Sequence, residues 1–217
     1  MKEFFIALLI LLAAFIVITL IRAAFFRPKK RDSEPLPPEK VDVDRFVKNL
    51  SDAIKIKTIC NRNPEKVDWS EFEKFHAFLE ERYPFIHKTL QKEVVSKASL
   101  LYKWQGKNPN LKPIALLSHQ DVVPVTEGTE KDWKYPPFEG TVAEGYIWGR
   151  GAIDMKNHLI GVMESIETLL EEGFQPERDV YLCFGHDEEI MLSDNSGAIT
   201  MARLLKERGV ELESVID

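Results

Sequence analysis

Six positions of this 217-residue chain carry side chains that bind metals and move protons. They are His119 and Asp121 in LLSHQDVVP, Asp154 in GRGAIDMKN, Glu188 and Glu189 in CFGHDEE, and Asp217 in ESVID. Each follows an apolar run or sits in a glycine-marked loop. Imidazole nitrogen and carboxylate oxygen together suit zinc, and a carboxylate can bridge two metals that clamp and activate a water. The spacing therefore predicts a two-metal hydrolase centre with His119, Asp154, Glu189 and Asp217 as ligands. Asp154, the lone acid of a Gly-rich loop, suits the bridge. The one-residue gap from His119 to Asp121 suits a carboxylate that accepts the second imidazole N–H and fixes its tautomer. Neighbouring side chains on extended backbone point apart, so the pair Glu188–Glu189 can divide its labour, one binding metal and the other free as general base.

Any one of these features alone has an ordinary reading: a stray HxD, a solvated acidic loop, a tight GRG turn, a terminal acid. Their placement is what counts. PIALLS (113–118), DVYLCF (179–184) and SVI (214–216) read as short, wholly apolar strands, and His119, the Glu pair and Asp217 each follow one of them. Helical patterns cover 44–59, 68–83, 157–171 and 196–208, the second with Asp68 as N-cap and Glu71 as its capping-box partner, ended by Pro84. Segments 88–96 and 99–105 read as strands, and 141–148 as a strand or hairpin broken by Gly145. Continuous apolar strands alternating with helices predict an α/β fold with a mostly parallel sheet flanked by helices. Ligands bind beyond the carboxyl ends of such strands, and the loop before the helix at Asn157 can bring Asp154 to that same edge. The remaining histidines, His76, His87, His158 and His186, read as structural. Trp133, Pro136, Pro137 and Phe138 read as packing under the site, and Arg150 as an ion-pair donor that fixes its loop.

The net charge of −6 excludes a general nucleic-acid binder, which needs a basic surface. Two cysteines, Cys60 and Cys183, are too few for a disulfide scaffold. From Phe4 to Ile21 there is no charge, and this length suits a single-pass membrane anchor. A cleaved signal peptide is the rival, but its apolar core is shorter and Arg22-Ala23-Ala24 is a poor cleavage site. The expected organisation is an anchor over 1–26, a Pro- and charge-rich linker over 27–43 and a catalytic region over 44–217. Basic residues after the anchor lean the folded part toward the cytoplasm.

SHQDVVPV, DWKYPPFEG, IWGRGAIDMKN, FGHDEE and VID together resemble the two-zinc aminoacylase/carboxypeptidase hydrolases. The likeness is greatest to the Gly-X (vacuolar S-type) carboxypeptidases and to relatives that cleave and form N-fatty-acyl amino acids. It covers about Val43 to Asp217, the N-terminal portion of such an enzyme. The resemblance implies a zinc-exopeptidase-like fold and two Zn2+ per complete site. His119, Asp154 and Asp217 would hold one. Asp154 and Glu189 would hold the other, with a histidine from further along a complete chain. Glu188 would be the general base and Asp121 would orient His119. The implied reaction is hydrolysis of an amide in a peptide or an N-acyl amino acid; a dipeptidase is not separated by these residues. A dimerising lid domain also belongs to the family, so the chain as it stands is expected to be inactive alone, with a homodimer formed through that lid. The alternative is a non-catalytic, membrane-anchored binding or scaffold remnant of the same fold. IMLSDNSGA departs from the family's usual S-G-T-G-like turn, and relatives working in lumenal or extracellular space run against the cytoplasmic lean.

Overall fold

The computed structural model describes residues 1–27, 41–190 and 196–217. Most of the expected linker and the centre of IMLSDNSGA lie outside them. The chain divides into two compact units, Met1–Lys40 and Val41–Asp217, each described here by itself.

In the first unit, helix α1 (Lys2–Phe25) runs 24 residues with none buried. At 1.5 Å per residue this is about 36 Å, enough to cross a bilayer core. Its apolar residues cover the whole circumference rather than one stripe.

The second unit is built on a five-stranded sheet. Its strands are β1 (Gln91–Val95), β2 (Ser99–Trp104), β3 (Ile114–His119), β6 (Val180–Gly185) and β7 (Ser214–Ile216). A separate hairpin pairs β4 (Thr141–Ala143) with β5 (Tyr146–Trp148). The spatial order is β1-β2-β6-β3-β7. β6, β3 and β7 are parallel, whereas β1–β2 and β2–β6 are antiparallel. The sheet is therefore mixed: parallel where the predicted site residues emerge, antiparallel at the edge closed by the short β1–β2 turn.

Alternation along the strands explains why they look apolar throughout. Leu100, Tyr102, Leu182 and Phe184 face a core shared with Leu50, Ile54, Phe75, Leu79, Ile160 and Met163. These come from α2 (Val43–Lys55), α3 (Trp69–Arg82) and α5 (Lys156–Glu171). Leu101, Ala115, Tyr181 and Cys183 face the other way, onto Met201 and Leu205 of α6 (Gly197–Glu207). Both faces are thus covered, and each fully buried large apolar side chain contributes about 1.5–3 kcal/mol.

Two local expectations need correction. Asp68 caps α3 as expected, accepting from the Ser70 N–H at 3.1 Å, but Glu71 does not complete a capping box. Its carboxylate accepts from the Lys57 N–H at 2.7 Å, tying α3 to the segment that leaves α2. Pro84 ends α3 by starting another helix, α4 (Pro84–Thr89), at whose first position its missing N–H is harmless. The following strand therefore begins at Gln91 rather than Lys88. In the β4–β5 hairpin, Glu144 and Gly145 both have positive φ (56° and 79°), the signature of a type I′ turn.

Candidate metal centre

The carboxyl ends of β3 and β6 lie side by side because His119 pairs with Gly185 in parallel register. His119 is the last residue of its strand, and Glu188 and Glu189 open a short 3-10 turn just beyond β6. Asp154 arrives from the turn that runs from Gly149 to the start of α5, where Gly149 and Gly151 adopt positive φ. Donor atoms of His119, Asp154 and Glu189 all fall within 4.8 Å of one another. Three residues from three separate segments thus converge on one point.

Asp121 lies beneath them, wholly buried. Its Oδ1 accepts from the Glu188 N–H at 3.1 Å and its Oδ2 from the Glu189 N–H at 3.0 Å. The same Oδ1 is 3.4 Å from His119 Nδ1, which also meets the Asp121 carbonyl oxygen at 3.0 Å. One carboxylate therefore orients the imidazole and the Glu pair together. On the other side of the ring, His119 Nε2 is 3.0 Å from Asp154 Oδ1 and 3.7 Å from Glu188 Oε2. The Asp154 side chain is 72% exposed and that of Glu188 47%, so both face the open side.

The electrostatics fit a cation at this point. Burial disfavours the His119 imidazolium, but bonding to Asp121 and then to Asp154, with the Glu188 charge, outweighs it and raises the His119 pKa to about 9. Both ring nitrogens face acceptors, Asp121 on one side and Asp154 on the other. Glu189 is pushed up, first by burial and then by the Asp154 charge. A divalent ion among these donors would relieve both strains, and the mixed nitrogen and oxygen set is one zinc accepts.

Asp217 is placed differently from the cluster. β7 pairs Ile216 with Leu116, so the next residue stands level with Leu117, two positions short of His119. At about 3.3 Å per strand residue it sits some 6–7 Å back along the strand direction. It lines the same cavity as His119, Asp154 and Glu188 without joining the three-donor group.

The other expected roles sort by what each side chain touches. His186 Nδ1 pairs with Ser99 Oγ at 2.7 Å, and its ring packs against Trp69 and Phe72. His87 bridges the Tyr83 carbonyl (2.8 Å) and the Tyr102 hydroxyl (3.1 Å). Among the described residues Arg150 makes no ion pair; its guanidinium lies over the Trp133 ring at 5.3 Å, so stacking takes the place of the expected carboxylate. Cys183 is buried among apolar neighbours, which pushes its thiol up to about 12.

Two residues escaped the sequence reading. Gln120, between the HxD pair, is fully buried and donates to the Ala98 and Phe184 carbonyls at 2.9 and 3.0 Å, while its Oε1 meets His76 Nε2 at 2.9 Å. It clasps the ends of β3 and β6. Lys156 is 1% exposed and reaches back to α2. Both are polar residues within two positions of predicted ligands, the one signal that could have marked them.

Residues 115–216 match the pattern of peptidase family M20/M25/M40. Carboxypeptidase S of Saccharomyces cerevisiae is 40% identical over 199 residues, 83% of this chain and 34% of that protein. An N-fatty-acyl-amino acid synthase/hydrolase of Xenopus tropicalis is 36% identical over 221 residues, 100% of this chain and 42% of that protein. The chain thus spans well under half the length of these relatives. Among solved structures, an M20 family metallo-carboxypeptidase from Sulfolobus solfataricus shares the fold, with TM-score 0.59 and 20% identity over 79% of this chain and 36% of that one. Human carnosine dipeptidase 1 does so at TM-score 0.57 and 17% identity, over 80% of this chain and 38% of that one.

Proposed function

The chain belongs to peptidase family M20/M25/M40, and on that premise we propose that it carries the metal-binding edge of a hydrolase of amide bonds in peptides or N-acyl amino acids. The convergence of His119, Asp154 and Glu189 above the buried Asp121 is the observation that supports this most. The substrate class follows from the relatives named carboxypeptidase S and N-fatty-acyl-amino acid synthase/hydrolase. In this reading His119, Asp154 and Asp217, the last set back along β7, would hold one zinc, and Asp154 and Glu189 would hold a second, completed by a donor outside the three-residue cluster.

When bound, the metals supply Lewis-acid polarisation of the scissile carbonyl and a lowered water pKa. The chain's own residues do the rest. Asp121 accepts the Nδ1–H of His119 and leaves Nε2 free to bind metal. Glu188, level with the site yet outside the ligand cluster, takes a proton from the attacking water and returns it to the leaving amine. Water adds to the carbonyl carbon, the C–N bond breaks, and a carboxylate and an amine leave.

Metal binding is the first test. Zinc at about 100 times its Kd should stabilise the full chain against thermal unfolding by about 2.7 kcal/mol relative to the chelator-treated protein. A melting profile indifferent to zinc refutes the reading.

We assign α1 as a membrane anchor, with the folded unit held at the membrane by it. The full chain should stay in the membrane pellet after an alkaline wash, and residues 41–217 alone should not. N-terminal sequencing of the mature protein distinguishes the two origins of this helix: a start at residue 1 or 2 supports the anchor, and one after Ala24 means a removed signal.

A further inference from the structure

Asp154 is the most exposed of the three clustered donors, and it sits on a turn with two positive-φ glycines. Its carboxylate meets the His119 imidazole, a contact too slight to hold a loop in place. Something else must fix it, and two residues along the chain there is such a device.

Lys156, the first residue of α5, is buried in full beneath the loop. Its backbone N–H donates to the Gly151 carbonyl at 2.9 Å, closing the turn that carries Asp154. Its Nζ runs to the end of α2, donating to the Ala53 carbonyl at 2.9 Å and the Ile56 carbonyl at 2.6 Å, with the Phe75 ring 5.0 Å away. Those carbonyls belong to the last turn and cap of α2, where the helix dipole favours a cation. A buried amino group is costly unless its donors are satisfied; here two backbone acceptors and an aromatic face meet it.

The destination of this tether matters more than its strength. The chain leaving α2 pairs with the residue after Asp121: Ile59 bridges Val122, the Cys60 N–H donates to the Val122 carbonyl at 3.2 Å, and the Val122 N–H to the Thr58 carbonyl at 3.0 Å. A Cβ on Gly151 would lie 2.6 Å from Val122 Cγ1, so the Asp154 turn also presses against that residue. The segment 53–60 is thus a common frame, holding Asp121 through Val122 and the Asp154 turn through Lys156.

We infer that Lys156 is a positioning residue for the metal centre, setting the place of the Asp154 carboxylate by tying its turn to the end of α2. This rests on the metal-centre reading above. The test is a Co2+ titration of the full chain, followed by visible absorption, which reports the ligand set directly. Wild-type protein that takes up no cobalt refutes the metal centre itself. Given wild-type uptake, Lys156→Met keeps an unbranched apolar stem, one atom shorter, and loses both Nζ hydrogen bonds. It should weaken cobalt binding about tenfold and change the position or intensity of the visible band, as a displaced carboxylate would. A band identical to wild type overturns the inference whatever the affinity, because a merely structural lysine leaves the ligand set intact. Should Lys156→Met not fold, Lys156→Arg, which keeps the charge but not the reach, is read by the same criterion.

Discussion

Replacing Glu188 by Gln should lower kcat for amide hydrolysis by about 10²–10⁴ in any form of the protein that turns over, while the bound zinc stays as it was. The two halves of that result have separate causes. Glutamine keeps the shape and the backbone N–H that donates to Asp121 Oδ1, so the turn carrying the pair should hold. Its amide cannot accept a proton from water, so the chemical step fails. The carboxylate lies 3.7 Å from His119 Nε2 but is not among the three converging donors, so its loss should spare the metal. Glu189→Gln is the contrasting control. Glu189 belongs to the donor group, and its replacement should release metal along with activity. Inductively coupled plasma analysis of zinc content beside steady-state kinetics separates the cases. Full activity in Glu188→Gln removes it as the base, and lost zinc in that variant makes it a ligand.

The sequence carried the placement of these groups because the sheet writes itself in apolar runs. PIALLS and DVYLCF are short, uncharged inside the strand and bounded by polar residues, and they became β3 and β6 within one residue at each end. Once parallel pairing is expected, the residues after each run must share an edge, and His119 and the Glu pair do. The edge strands were less legible. β1 is half exposed and follows a helix that Pro84 starts rather than prevents, so periodicity alone placed its beginning too early. Glu71 illustrates a second limit: capping-box spacing shows which N–H it could accept from locally, but not that Lys57, 14 residues away, offers a better one. Asp217 illustrates a third. A strand end points to the shared cavity, but how far along that edge a residue sits depends on register, which pairs Ile216 with Leu116 and leaves Asp217 behind His119. Lys156 and Gln120 were missed for the opposite reason. Long polar side chains ordinarily lie in solvent, and only three-dimensional packing shows that these two are buried with their donors matched to backbone carbonyls.

Asp121→Ala tests whether the metal edge is held by one buried carboxylate. Asp121 touches no open space, yet three groups of the site depend on it: the Glu188 N–H, the Glu189 N–H and the His119 ring. Burial alone would raise its pKa, but donation from His119 and from the Glu189 N–H outweighs this and keeps the carboxyl lowered and charged. Alanine leaves two backbone N–H groups without acceptors at the turn after β6. An orphaned donor costs about 1–3 kcal/mol where water cannot reach it, and less at these part-buried N–H groups. The imidazole keeps the Asp121 carbonyl oxygen at 3.0 Å but loses the carboxylate charge beside Nδ1, and loss of such an outer partner lowers metal affinity about 10–100-fold in comparable centres. Both losses should therefore appear together: a lower unfolding midpoint in denaturant for the metal-free chain and a weaker zinc Kd by titration. Asp121→Asn divides them. Its amide oxygen can still accept one of the two backbone N–H groups, so part of the stability returns. Its neutral NH2 faces the second donor and the ring, so the affinity should stay low. If Asp121→Asn instead binds zinc as tightly as wild type, the carboxylate is a structural fastener for the Glu188–Glu189 turn and has no part in preparing His119.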